Sequence, residues 1–179
     1  MEKIKRFLVQ DGPVAMQLGV MRSFQDLFAR QSLASAALAI NAGSAATWKM
    51  GNTAALPYLI NGQFLTKAAA TAQAVPTAIT WAAVASTFNA GGFLVALDAA
   101  GTVFTYPTNV TASTVSSANA LAGLVWPTVP DDKCVIGAIV VYNTAANTAF
   151  TGATTALDAA NIGAQYISTV GPFYPVTPV

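Results

Sequence analysis

Short apolar runs alternate with turn-forming residues along most of the chain, which is the pattern of β-strands. Two runs rich in aromatic and β-branched residues, Phe93 to Leu97 and Thr102 to Tyr106, are separated by Asp98-Ala-Ala-Gly101. The Asp98 carboxylate can accept hydrogen bonds within such a turn, and Gly101 can adopt a positive φ. Pro107 lacks a backbone N–H and is expected to end the second run. The pattern predicts a central β-hairpin.

A second hairpin is predicted over residues 56–67. Its two apolar halves flank Asn61-Gly62, the pair that favours a type I′ turn between twisted strands. Because this turn fixes which residues lie opposite each other, the register of the hairpin is predicted as well.

Further strands are predicted in the second half of the chain. The apolar run from Cys134 to Tyr142 has the β-branched bias of a buried strand and is too short to cross a membrane. Residues 148–151 and 164–168 have the same character, whereas the Ser/Thr/Asn-rich residues 110–120 predict an exposed loop. The fold class that follows is mainly β, arranged as an antiparallel sandwich, a jelly-roll or a small barrel, over residues 51–179.

Residues 1–50 are predicted to form an N-terminal arm, helical or extended. Apolar residues recur at helical spacing between Val14 and Phe28, and charged residues occupy other positions of the wheel. The Ala/Ser/Gly-rich residues 32–51 are interpreted as a connector that contains a weak strand at Leu38 to Ile40. Two interpretations of the arm stay open, because an amphipathic segment can dock on a partner or pack on its own β domain.

Composition changes the picture from an ordinary β domain to a subunit of an assembly. Charged residues make up 8% of the 179 residues, against roughly 25% in a typical soluble domain, and the net charge is +1. Mean hydropathy is +0.53. Eight of the fifteen charged residues lie within residues 1–30. Small neutral side chains cost less to desolvate than ions, so this surface suits permanent contact with other subunits.

The residues that usually perform catalysis are scarce. Histidine is absent, and the adjacent Asp131 and Asp132 point opposite ways on an extended chain, so they do not form an acid/base pair. The single Cys134 has no partner for an internal disulfide and is interpreted as a small buried thiol. No phosphate-binding glycine loop, metal-ligand spacing or clustered basic patch is present. The sequence therefore predicts no enzyme activity, no cofactor, no metal and no nucleic-acid partner.

The chain also lacks a membrane or secretory signature. It has no run of about 20 apolar residues, and the apolar residues after Lys3-Ile-Lys-Arg6 end at Gln10. We therefore expect no membrane partner, and synthesis in a cytoplasm.

Several phrases resemble small virion structural proteins of tailed bacteriophages, in particular the head decoration (cement) type. They span Gln10 to Tyr142 and include Gln10-Asp-Gly-Pro13, the hairpin from Tyr58 to Ala69, the central Phe93 to Gly101, and Trp126-Pro-Thr-Val-Pro-Asp-Asp-Lys133. The resemblance implies a β-rich subunit, often trimeric, that binds the major capsid protein on the outer head shell and stabilises it. It also implies a location in the virion, with assembly in the host cytoplasm.

For such a protein, the charged and amphipathic segment from Phe7 to Arg30 is the predicted docking element. The candidate capsid-docking residues are Phe7, Leu18, Met21, Arg22, Phe24, Phe28 and Arg30. A tail, baseplate or fibre component is the alternative virion role. A glycan-binding module is a third hypothesis, since exposed Tyr106, Phe173 and Tyr174 could stack on sugars.

Overall fold

A computed structural model describes residues 29–42 and 44–172. This part of the chain is mainly β, as predicted, with fourteen strands and one short helix. The strands are β1 Arg30–Ser32, β2 Leu38–Ile40, β3 Thr47–Met50, β4 Leu56–Ile60, β5 Gln63–Lys67, β6 Gln73–Ala74, β7 Thr80–Trp81, β8 Phe88–Leu97, β9 Val103–Pro107, β10 Thr111–Ser113, β11 Cys134–Asn143, β12 Phe150–Thr151, β13 Ile162–Ser168 and β14 Gly171–Pro172, and the helix is α1 Ser117–Ala122.

The largest sheet is built on β8 and β11, two ten-residue strands that pair antiparallel along their length. Its order is β10-β8-β11-β13, and β9 pairs with the half of β8 that β10 leaves free. The register between β8 and β11 shifts between Val135 and Gly137, which marks a β-bulge. We call this the central sheet. Both the central hairpin and the buried strand after Lys133 that the sequence predicts are present in it.

A second antiparallel sheet, in the order β14-β1-β4-β5, packs with the central sheet around one hydrophobic core. Two smaller sheets, β2-β3-β6 and β7-β12, contribute to the same core. Trp48 lies 6.1 Å from Phe93 between ring centroids, and Trp81 stacks on Phe150 at 5.0 Å. Antiparallel sheets packed through buried inner faces form a sandwich-like architecture.

The second face of the central sheet is covered by the chain itself. Leu94, Ala96, Val135 and Ala138 are buried there under Tyr106, Trp126 and Val129. Pro127 and Pro130 bias the residues before them to extended conformations, so residues 124–130 cross this face without regular structure.

Both predicted turns have the backbone that their residues allow. Asn61 and Gly62 join β4 to β5 with φ of +51° and +75°, the pair of positive values that a type I′ turn requires. In the β8–β9 turn, Asp98 Oδ1 accepts hydrogen bonds from the backbone N–H of Ala100 at 2.9 Å and Thr102 at 2.8 Å. Gly101 has a φ of +75°.

The interpretation of residues 110–120 as a loop is wrong. They contain β10 and the start of α1, whose N-cap Ser116 accepts a hydrogen bond from the backbone N–H of Asn119. The hydroxyl of Thr111 donates to the Ala120 carbonyl at 2.6 Å, which ties strand to helix. Side-chain capping and this contact stabilise six residues that show no helical periodicity.

Residues 32–51 are more ordered than a connector. The predicted strand at Leu38–Ile40 is present as β2, and it pairs with β3. Trp48 and Met50 on β3 are buried in the core. Strands on both sides of the predicted boundary at residue 50 therefore contribute to one core.

Candidate docking site

The structure describes one of the seven predicted docking residues. Arg30 is the first residue of β1, and the other six lie outside the described residues: Phe7, Leu18, Met21, Arg22, Phe24 and Phe28. Arg30 is thus the point at which the predicted docking segment joins the β domain.

Arg30 binds the loop that precedes β11. Its Nη1 lies 2.9 Å from Asp131 Oδ1 and donates to the Pro130 carbonyl at 3.2 Å. The Asp131 side chain is 96% exposed, so water screens this ion pair and limits its contribution to stability to about 1 kcal/mol or less. The pair therefore positions Arg30 more than it stabilises the domain.

Asp132 and Lys133, which follow Asp131 in the chain, form a second ion pair beside the first. Lys133 Nζ hydrogen-bonds to Asp132 Oδ2 and lies 4.7 Å from the centroid of the Phe104 ring. The hydrogen bond lowers the pKa of Asp132 and raises the pKa of Lys133, so both side chains are charged at neutral pH. The cation over the ring fixes the loop against β9.

Two further charged residues lie at the same end of the domain. Asp98 forms the β8–β9 turn, and its charge contributes to the raised pKa of Lys133. The Lys67 side chain lies against the same turn, since a Cβ added at Gly101 would lie 3.3 Å from the Cδ atom of Lys67. The Tyr58 hydroxyl donates to the Asp98 carbonyl at 2.8 Å, which connects this turn to the second sheet.

Six of the eight charged side chains in the described residues therefore lie around the β8–β9 turn and the loop before β11, at one end of the central sheet. We call this region the charged end, and its members are Arg30, Lys67, Asp98, Asp131, Asp132 and Lys133. Lys49 and Asp158 are the other two charged residues of the described chain, and they make none of these contacts. The charged end carries three positive and three negative groups, so its net charge is zero, and two ion pairs account for four of the six.

Both terminal segments join the domain at the charged end. β1 and β14 are antiparallel neighbours, with Gln31 opposite Pro172 and Ser32 opposite Gly171. Since β1 begins where β14 ends, the chain enters β1 and leaves β14 at adjacent points at one end of the second sheet. The Asn61 turn lies beside Arg30, because its backbone N–H donates to the Ala29 carbonyl at 2.6 Å, and it is at the opposite end of the β4–β5 hairpin from Lys67.

The rest of the described surface carries two charged residues, Lys49 and Asp158, and exposed apolar side chains occur beside the charged end as well as away from it. Phe64 is 64% exposed on β5, and Val115 is 71% exposed in the segment between β10 and α1. Val125 and Val170 are each 63% exposed. Single exposed apolar residues are common on proteins, but here they lie on a surface that has few ions to hold water.

The remaining residues singled out from the sequence are the three aromatic candidates for glycan binding and the single cysteine. Tyr106 packs half-buried on the outer face of the central sheet, while Phe173 and Tyr174 lie outside the described residues. Cys134 is fully buried, and burial raises the pKa of its thiol to about 12. The prediction of a small buried thiol is confirmed.

Within residues 29–42 and 44–172, no three His, Cys, Asp or Glu side chains are grouped as metal ligands. No helix in that part of the chain is both long and apolar enough to span a membrane.

Comparison with known proteins identifies no relative. No protein-family description matches the chain, and neither a curated protein nor a solved structure is similar enough to match it.

The clustering of charges was not predictable from the sequence. Arg30 and the loop it binds are separated by 100 residues, and Lys67 and Gly101 belong to different hairpins. The one signal in the sequence was the scarcity of charge. Because only fifteen of the 179 residues are ionic, each of them was worth considering as a functional residue.

Proposed function

We propose that this protein is a structural subunit of a tailed-bacteriophage virion, and that it acts as a head decoration protein on the outer capsid shell. In this role it binds the major capsid protein, is repeated at symmetry-related positions, and strengthens the shell by joining neighbouring subunits. The segment from Phe7 to Arg30 makes the docking contact, together with the charged end from which it extends.

The observation that carries this proposal is the segregation of charge within the β domain. A domain that stays dispersed as a free monomer usually displays mixed charges over its whole surface. Here six of the eight described ionic side chains lie at one end, four of them in two ion pairs, and the rest of the described surface carries only Lys49 and Asp158 among its neutral and exposed apolar residues. Such a surface can be covered by neighbours at a small desolvation cost.

The position of the terminal segments supports docking through the same end. Because β1 and β14 are paired neighbours, both termini of the described domain lead to one place. A docking segment attached there can hold the domain in one orientation on the shell. Burial of apolar surface at each docking site contributes about 25 cal/mol of binding free energy per Å². The symmetry of the capsid repeats this contribution at every equivalent site.

Co-sedimentation with capsids that lack this protein tests the proposal. The full chain should bind saturably, at a fixed ratio to the major capsid protein. The triple substitution Leu18→Ser, Met21→Ser and Phe24→Ser removes three of the apolar docking candidates and leaves the length and charge of the segment unchanged. We expect it to weaken binding at least tenfold, because three apolar side chains contribute several kcal/mol when they are buried.

Val115→Ser is the matched control, since it removes an exposed apolar side chain elsewhere on the chain. It should bind as the unmodified protein does. Equal binding by the triple variant would refute docking through this segment. Recovery of the protein in tail fractions, with no capsid binding, would replace the head role with a tail, baseplate or fibre role.

A further inference from the structure

β13 is the last strand of the central sheet, and one of its edges faces away from β11. The backbone N–H of Thr144 donates to Asn161 O, and that of Thr169 donates to Ile136 O. These bonds fix the alternation along β13, because the groups that bond to β11 recur at every second residue. The backbone groups of Ala164 and Tyr166 therefore point outward, where no strand of the described chain pairs with them.

In the described part of the chain, this edge lacks most of the devices that usually prevent strand addition, although β2 packs at one end of β13, where the Leu38 N–H donates to Ser168 Oγ at 3.1 Å. Edge strands are commonly protected by Lys, Pro, a bulge or a covering element. β9, on the opposite side of the sheet, ends in Pro107 and lies under the Lys133 ammonium, and the edge strand β5 ends in Lys67. By contrast, the seven residues Ile-Gly-Ala-Gln-Tyr-Ile-Ser of β13 include no charge and no proline.

We propose that β13 pairs antiparallel with β13 of a second copy of this chain, across a two-fold axis at Gln165. In this register the outward groups of Ala164 meet those of the second copy's Tyr166, and the reciprocal pair forms on the other side of the axis. The two central sheets then become one continuous sheet. This inference concerns self-association and does not depend on the proposed role in a virion.

In this register, the side chains of β13 fit against the side chains of β13 in the second copy. Tyr166 and Ala164 lie on the core side of the sheet, so the pairing places a large side chain beside a small one. Ile167, which is 46% exposed, comes beside the second copy's Gly163. A Cβ at Gly163 would lie 2.6 Å from the Tyr142 ring, so that ring occupies the space and offers Ile167 an apolar contact.

The absence of charge is the reason to choose a second copy as the occupant. Like charges directly opposite each other destabilise a strand pair, and self-pairing about Gln165 brings the residues at and next to the axis near their own copies. β13 carries none, and the residue on the axis is an exposed Gln165 whose amide can donate to and accept from its counterpart. The basic N-terminal segment of the chain is the alternative occupant of this edge. β13 has no acidic residue that would attract it.

The test measures the mass of the full-length protein in solution by light scattering over a range of concentrations. We expect twice the chain mass for the unmodified protein. Gln165→Lys and Gln165→Glu each place like charges on the axis and should weaken association by about fivefold or more. An equimolar mixture of the two variants should recover the dimer, because opposite charges then meet. Gln63→Lys, the same change on edge strand β5, should leave the mass unchanged.

Hydrogen exchange separates the possible occupants of the edge. In the dimer, the amides of Ala164 and Tyr166 should be protected, and Gln165→Lys should remove that protection while circular dichroism shows an intact fold. A monomer at every concentration, or an oligomer unaffected by charge at Gln165, would overturn the inference. Protection that persists in a monomer would overturn it too, because another segment of the same chain would then cover the edge.

Discussion

At Gly62 the backbone conformation alone determines which residue fits. Its φ is +75°, and a Cβ added there would meet no atom within 4 Å. Gly62→Ala therefore tests conformational strain without a steric clash. An L-residue in the left-handed region costs about 1–2 kcal/mol, part of which is offset by the lower entropy of the unfolded alanine chain.

We expect Gly62→Ala to lower the free energy of unfolding by about 1 kcal/mol in urea denaturation. Gly62→Asn is the matched control, because asparagine tolerates the left-handed region better than alanine does. The asparagine variant should lose clearly less free energy of unfolding than the alanine variant. Equal losses for the two variants would mean that strain in the left-handed region does not account for the loss of stability.

Cys134 gives a pH dependence that can be assigned to one side chain. Burial raises the pKa of its thiol from 9.0 to about 12 in the folded protein. Below pH 9 the thiol is protonated in both states and has no effect. Between pH 9 and 12 the unfolded state loses the proton first, so the free energy of unfolding falls as the pH rises, by at most about 1.4 kcal/mol per unit.

Comparison with Cys134→Ala isolates this effect, because tyrosines and lysines titrate in the same range. The unmodified protein should lose stability more steeply than the variant above pH 9 in chemical denaturation. Parallel slopes would show that the thiol ionises equally easily in the folded and unfolded states.

Among the elements, the β8–β9 hairpin depends on one carboxylate. Asp98 Oδ1 accepts from two backbone amides of the turn, at 2.9 and 2.8 Å. Asp98→Ala removes both acceptor contacts and should lower the free energy of unfolding by about 1–2 kcal/mol. Asp98→Asn keeps an oxygen in the same place and should lose about half as much. Thermal denaturation measures both, and an alanine variant as stable as the asparagine variant would contradict this account.

Elements with local signals were predictable from the sequence. Asn61-Gly62 and Asp98 to Gly101 encode their turns within four residues, so both hairpins follow from local chemistry. α1 was missed because six residues are too few to show a period, and its N-cap Ser116 resembles the loop residues around it. Trp48 lies in an Ala/Ser/Gly-rich segment, and its burial depends on distant strands.

The features used for the candidate sites were not encoded locally. β13 could be predicted as a strand, but its place at the sheet edge depends on the order in which strands pair. The contact of Arg30 with Asp131 depends likewise on how β1 lies against the start of β11. Sequence patterns report periodicity along the chain, whereas these features arise from topology.

At the scale of the whole molecule, the two ends of the central sheet differ in chemistry. The β8–β9 turn and the loop before β11 lie at the charged end. β10 and α1 lie at the start of β8, about 30 Å away if a strand rises about 3.3 Å per residue. The far end has Val115 as an exposed apolar residue and no charged residue between β10 and the end of α1. A domain polarised in this way can bind with one end and present the other.

For the proposed capsid role, this polarity predicts which end of the domain the shell would cover. Because Cys134 is buried and holds its proton, thiol reagents should label introduced cysteines without reacting at Cys134. Thr102→Cys places a thiol at the charged end, and Val115→Cys places one at the far end, both at exposed positions. On capsids, we expect labelling of Thr102→Cys to slow at least tenfold while Val115→Cys labels as it does in free protein, since an interface excludes reagent from its buried core. The reverse pattern would mean that the far end is the docking surface and that the charged end faces solvent.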